Sequence, residues 1–357
     1  MTVRAIRGIR TRNHPMKRRL FLHVGAHRTG TTSIQSFMAQ NFGMLQQKGV
    51  FHPFAVPRHV GLINKIFNGT KTVREICEDI NARADSKPHT IHTVVLSDED
   101  ICTRPDLSAL GELSEYFEVA VVLMMRRQDL WLESWYHQNI KWQWNEDLAH
   151  LPFDAFLTRR DDFFWIHYDR TVQAFESLFG AGRVICLPFE TQQMPQGPVM
   201  AFCDAIGLSD FEMLKMPDAL NRSLSPLMGE FMRTLPLGEI PGAFRRQIEQ
   251  ACMKADNHLR KQFDTSSRLL MGPAMRTRVM AEYSTGNSAL AQQLFDRAEL
   301  FMEPLPPADA PLALHRLPAD SYETIEHIVV PVFSALMLQM MEQALTADAV
   351  EKAMDAP

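Results

Sequence analysis

A short apolar run, RLFLHV at 19–24, leads without a break into GAHRTGTT at 25–32 and then into a segment with helical periodicity. Few folds admit a strand, a glycine loop and a helix in that order. A strand of continuous apolar residues must be covered on both faces, and a parallel sheet flanked by helices does this. The helical positions are Ile34, Phe37, Met38, Asn41 and Leu45, with Gly49 placed to end the helix. The alternation then continues: strands are predicted at 50–53, 93–96, 119–125 and 183–187, and helices at 72–84, 107–116, 126–142 and 169–179. Beyond about residue 198 the strand signal fades into helical stretches at 199–206, 226–233, 245–255, 277–294 and 325–344. The expected fold is a three-layer α/β sheet of P-loop type with a largely helical C-terminal part. The expected division is a basic extension at 1–18, an α/β core at 19–235 and a helical region at 236–357.

The loop has the GxxxxG spacing of a Walker A motif, but Thr31 stands where the phosphate-binding lysine would be. The rest of the anion logic survives. Glycines let the backbone wrap an anion, successive N–H groups turn inward, and the following helix adds its positive end. Thr31 and Thr32 offer hydroxyls, and Arg28 supplies the charge the missing lysine would have given. The competing reading is a tight strand-to-helix turn with threonines as ordinary caps.

A second anion anchor is predicted after the strand at 119–125. A nucleotide hydrolase that holds magnesium needs an acid at a strand end. This strand runs instead into Arg126 and Arg127, and Ser134 follows eight residues after Arg126. An arginine at a strand's carboxyl end with a serine two helical turns on suits a phosphate. Read alone, the arginines could equally be surface charges paired with Asp129 and Glu133.

Together these motifs resemble those of sulfotransferases. His27, Arg28, Thr29, Gly30, Thr31, Thr32 and Ser33 are similar to the loop that binds 5′-phosphosulfate there, and Arg126 with Ser134 is similar to the 3′-phosphate motif. The likeness is strongest to bacterial sulfotransferase-like proteins, with further traces in Tyr168-Asp169-Arg170, Pro188-Phe189-Glu190, the segment 221–225 and the stretch 282–294. Arg28 departs from the lysine more frequent in that group, so its donors have a different geometry. The resemblance implies a co-substrate, PAPS, with adenosine 3′,5′-bisphosphate as product and no metal. It implies in-line transfer of a sulfuryl group to a hydroxyl or amine acceptor, carbohydrate first among them. A P-loop kinase or nucleotide hydrolase, and a family member that binds nucleotide without turnover, remain the alternatives.

Such a transfer needs a general base beside the loop. Glu99, in LSDE after a central strand, is the first candidate, and Asp98 and His27 are the others. The bland reading of the acids is a helix N-terminus favoured by the dipole. Among the tryptophans, Trp131 and Trp135 lie one turn apart and read as core, whereas Trp142 and Trp144 are better placed to meet an acceptor.

Composition narrows what remains. A net charge of −5 with 22% charged residues argues against disorder and against nucleic acid as a partner, so any anion site is local. The five cysteines are scattered and form no CxxC, which fits neither a disulfide framework nor zinc and points to a reducing, cytoplasmic setting. No apolar run is expected to approach the roughly 18–20 residues that a membrane span requires. The first nineteen residues carry seven Arg and Lys and no acid, and they read as a disordered extension or the product of a start upstream of Met16.

Overall fold

In the computed structural model, which describes residues 17–217 and 223–354, the apolar runs form strands. They are β1 (Arg19–His23), β2 (Val50–Phe51), β3 (Thr93–Ser97), β4 (Glu118–Met125) and β5 (Val184–Pro188). All pair in parallel in the order β2-β3-β1-β4-β5. Every residue of β3 is buried, as is every residue of β4 after Glu118, so the sheet is covered on both faces as the runs require.

Among the helices between and after them are α1 (Thr31–Gln40), α2 (Val73–Asp85), α3 (Gln128–Trp142), α4 (Tyr168–Phe179) and α5 (Gly197–Ile206). One apolar cluster joins Phe21, Val95, Val122 and Met124 of the sheet to Ile34 and Phe37 of α1 and Phe202 of α5. Burying side chains of this size is worth about 1.5–3 kcal/mol each. The cluster therefore fixes α1, and with it the loop that precedes α1, against the carboxyl ends of the strands. Further on come α6 (Pro226–Arg233), α7 (Gly242–Gln262), α8 (Pro273–Phe295) and α9 (Val330–Met354).

Several elements differ from their predicted form. The helix after the loop stops at Gln40 and restarts at Phe42. Asn41 causes the break, because its side chain donates to the Phe37 and Lys215 carbonyls and accepts from the Lys215 N–H. Gly49 does end the helical stretch, with φ of 74°, and a Cβ there would collide with the His92 ring. The helix predicted at 107–116 is a 3-10 turn, Ser108–Leu110, and one turn of helix, Leu113–Tyr116. Lys17 and Arg18 do not belong to an extension: Lys17 Nζ donates to the Ser114 carbonyl, and Arg18 donates to the Ile91 carbonyl and to Asn81. The remainder of the predicted extension, 1–16, lies outside the described residues, as do Asn221 and Arg222 of the segment 221–225.

Compactness divides the chain elsewhere than at 235/236. One unit is Met1–Gln128, Asp162–Leu220 and Val279–Leu305, and it holds the sheet. The other is Asp129–Asp161, Asn221–Arg278 and Pro306–Pro357, and it is helical. The helix predicted at 325–344 is more apolar than its reading allowed. Among the described residues, Ser321–Leu345 is long and apolar enough to cross a membrane, which corrects the reading that no run approaches that length.

Candidate functional site

Parallel sheets place ligands beyond the carboxyl ends of their strands, where the order of connections reverses. Here β1 lies between β3 and β4, so the segments leaving these adjacent strands converge: the loop 25–32, Asp98–Asp100 and Arg126. All of them belong to the sheet-bearing unit.

The loop is held from below. Gly25 is pressed so close to the sheet that a Cβ would lie 3.0 Å from Thr29 Oγ1 and 3.1 Å from Met124 Cβ. Thr29 is fully buried and donates its hydroxyl to the Ala26 carbonyl at 2.5 Å. Arg28 has φ of 69° and Gly30 has φ of 82°. The glycine takes that conformation freely, but a Cβ at Gly30 would strike Pro198 at 2.8 Å. The arginine takes it at a cost of about 1–2 kcal/mol. Strain of this kind persists only where surrounding contacts enforce it. One enforcing contact is visible, because Arg126 Nη1 donates to the Arg28 carbonyl at 3.1 Å.

Gly30 serves as the N-cap of α1 without a side chain to cap the helix. None of the backbone hydrogen bonds among the described residues is donated by Thr29, Gly30, Thr31 or Thr32. These four N–H groups sit at the positive end of a helix. Thr31 is buried, Thr32 is exposed, and Ser33 and Arg28 are half-buried.

Arg126 is clasped by Tyr168, whose hydroxyl donates to the Arg126 carbonyl at 2.6 Å and accepts from its N–H at 3.1 Å. The guanidinium lies 5.9 Å from the Phe189 ring centre. These contacts give structural content to two of the traces, at Tyr168 and Phe189. A third is Glu190, whose carboxylate accepts from the N–H groups of Met302 and Glu303. Ser134 lies on α3, in the helical unit, and is half-buried. Asp129 and Glu133, weighed as partners for the arginines, are both bonded to Arg276.

The acids after β3 form a network. Asp98 is fully buried and accepts from Arg58 Nε at 2.7 Å. Burial pushes its carboxyl above the usual range, and the Arg58 charge only partly offsets that. Asp100 bonds His27 Nε2 at 2.9 Å and pairs with Arg58 Nη2 at 2.5 Å. Burial would raise its carboxyl as well, but these two partners hold it below the usual range. Glu99 is 8% exposed and accepts from Gln35 Nε2 at 2.6 Å through Oε2, the oxygen that also lies 3.3 Å from Arg58 Nε. Its other oxygen, Oε1, lies 3.9 Å from His27 Nδ1. His27, Asp98 and Glu99, the candidate bases, are thus together, and His27 ties the loop to the acids.

The geometry overturns one step of the sequence reading. The sequence disfavours a magnesium-dependent hydrolase for want of an acidic strand end, yet β3, beside β1, ends in Asp98, Glu99 and Asp100. What sets this end apart is Arg58, which lies against all three carboxylates. Sequence reasoning misses Arg58 because nothing in a loop residue forty positions upstream marks such a pairing. Gln35 is visible there only as a letter in the motif.

Behind the acids lies a cluster of neutral histidines. His23 Nδ1 bonds Ser97 Oγ at 2.8 Å, and Gln35 Nε2 reaches the same hydroxyl at 3.2 Å. His59 Nδ1 accepts from the Ser97 N–H, which leaves its Nε2 to donate to the Pro53 carbonyl. Burial lowers both His23 and His59 to about 3. Between pH 3 and 6.5 the unfolded chain therefore binds more protons than the folded one. Stability is full above pH 6.5 and falls as pH drops below it, by roughly 1 kcal/mol per histidine at pH 5.5. Urea unfolding should show a lower midpoint at pH 5.5 than at 7.5, and His23→Gln should shrink the difference. An unchanged difference in that variant would assign the acid sensitivity elsewhere.

No protein-family model and no curated protein matches the chain. Among solved structures it is similar to a sulfotransferase from Alicyclobacillus acidocaldarius, at 15% identity over 63% of this chain and 98% of that one, with a TM-score of 0.36. At that score the functional reading rests on the residues themselves.

Proposed function

We propose that this chain is a sulfotransferase that moves a sulfuryl group from PAPS to a hydroxyl or amine acceptor, with carbohydrate the first class to test. The observation that carries the reading is the convergence, beyond adjacent strands, of unpaired loop N–H groups at the start of α1, a clasped arginine and a carboxylate. The loop N–H groups, Arg28, Thr31 and Thr32 take the 5′-phosphosulfate end. As the sulfur–oxygen bond to the 5′-phosphate breaks, charge grows on that phosphate, and donors fixed in advance stabilise it. Arg126 takes the 3′-phosphate. Ser134 as its companion is a proposal from the motif alone. Glu99 takes the acceptor's proton, because Oε1 is the carboxylate oxygen that Gln35 and Arg58 leave less engaged. Asp98, fully buried on Arg58, is the weaker candidate. The cysteines are all buried and form no disulfide, in keeping with a cytoplasmic setting.

A kinase or nucleotide hydrolase is the second reading, favoured by the acidic end of β3 beside the loop. Thermal unfolding separates the two. Adenosine 3′,5′-bisphosphate at a hundred times its dissociation constant should stabilise the protein by about 2.7 kcal/mol, whereas Mg-ATP should leave it unchanged. Stabilisation by Mg-ATP alone would sink the sulfotransferase reading.

A further inference from the structure

The apolar helix near the C-terminus has more greasy surface than its own fold covers. After one turn at Ser321–Thr324 the chain makes a π-turn at Ile325–Val329 and continues as α9. Pro331 accounts for the wide turn, since it has no N–H and its ring crowds the preceding turn. One stripe is buried: Ile328, Val332, Ala335 and Gln339 recur at helical spacing, and the helix packs against α7. The opposite side should then be polar. It is not. Phe333, Met337, Leu338, Met340, Met341 and Leu345 are each 57–68% exposed.

We propose that this face of α9 is a homodimer interface, on which a second copy of the chain lays the same helix antiparallel across a two-fold axis. Area is the first argument. At these exposures the six side chains present roughly 700 Å², more than the largest apolar patch of an ordinary monomer and close to the ~800 Å² per partner of a stable interface. Charge is the second. No Asp, Glu, Lys or Arg occurs from 328 to 341, so the face suits an equally uncharged partner. Along the helix itself the charges flanking the face are Glu323, Glu326 and Glu342, and no Lys or Arg occurs from 317 to 351. That rim repels an anionic lipid surface, which draws in Lys and Arg. Symmetry is the third argument. A patch that pairs with itself closes after two copies, and antiparallel packing keeps the Glu323–Glu326 ends of the copies apart.

Light scattering on the full chain at tens of micromolar should give twice the 40.8 kDa of one copy. Phe333→Glu with Met337→Glu should return it to 40.8 kDa. A full chain that stays single, or a doubly substituted chain that stays paired, overturns the proposal. Because two glutamates could also disturb the helix, single cysteines give an independent test. A short bismaleimide should join two copies of the Met337→Cys chain, near the axis, and not of the Tyr322→Cys chain. Position 322 is about 22 Å further along the helix, so its two copies lie far apart. Cross-linking at both positions, or at neither, overturns the antiparallel pairing. Pelleting of the unmodified chain with vesicles of phosphatidylcholine and phosphatidylserine would overturn it too, and would assign the face to lipid.

Discussion

Glu99→Gln is expected to lower sulfuryl transfer by roughly 10²–10⁴-fold, the usual contribution of a positioned general base. The amide keeps the size of the carboxylate and can still accept from Gln35 through its oxygen, and Arg58 keeps its bond to Asp98, so the network at the end of β3 stays closed. What it loses is the ability to take a proton. Thermal stabilisation by adenosine 3′,5′-bisphosphate should therefore be unchanged while turnover of labelled PAPS falls. Asp98→Asn is the control. Asp98 is fully buried against Arg58, so its substitution acts first on stability. If Glu99→Gln retained turnover while Asp98→Asn lost it at an unaltered unfolding temperature, the base would be Asp98. A chain in which neither substitution slowed the reaction would leave His27, 3.9 Å from Glu99, as the group to examine.

The choice among these groups shows what a linear reading can reach. The strands are legible because each is a short apolar run in a sheet buried on both faces, and the loop because glycine spacing is a local backbone requirement. The place of Arg126 is legible because it directly follows the apolar run that forms β4. Arg58 is not, since its meaning lies in three carboxylates forty residues downstream, and pairing across such a distance leaves no period in the sequence. The same holds for the Tyr168 hydroxyl that clasps Arg126, although the tyrosine itself stands within a motif. It holds also for Gly286, where a Cβ would lie 2.6 Å from Asp169 Cγ. Compactness also groups the chain differently from a break at 235/236, for a related reason. Membership of a compact unit is decided through space, and residues 129–161 fold with segments from the C-terminal half. Trp131 and Trp135 are core, stacked at 5.3 Å, as their spacing predicts, because one helical turn is a local distance.

Arg276 is where that blindness conceals the largest effect on stability. The guanidinium is 2% exposed, bonds Asp129 Oδ2, and donates to Glu133 Oε1 at 2.7 Å. The same Glu133 oxygen accepts from the N–H groups of Leu270 and Met271, both at 2.8 Å. Burial pushes the Glu133 carboxyl up, and Arg276 leads the groups that oppose the rise. Arg276→Met takes away the cation the two carboxylates share and leaves the Glu133 charge in the interior with backbone N–H partners alone, at a cost of about 3–5 kcal/mol. In a unit of this size each kcal/mol is worth about 2–4 °C, so the unfolding temperature should drop by roughly 6–20 °C. The pH dependence carries the diagnosis. Without the arginine the Glu133 carboxyl is raised further above its unfolded value, so the variant's deficit is smallest near pH 4–5 and grows as pH rises through the elevated range. A lost packing contact would give a deficit independent of pH. Adding Asp129→Asn and Glu133→Gln to Arg276→Met should recover most of the loss, since the amide oxygen brought in by Glu133→Gln can still accept from the two backbone N–H groups. A deficit below about 1 kcal/mol in the single variant would mean that water already reaches these acids, with the ion pair no stronger than one at the surface.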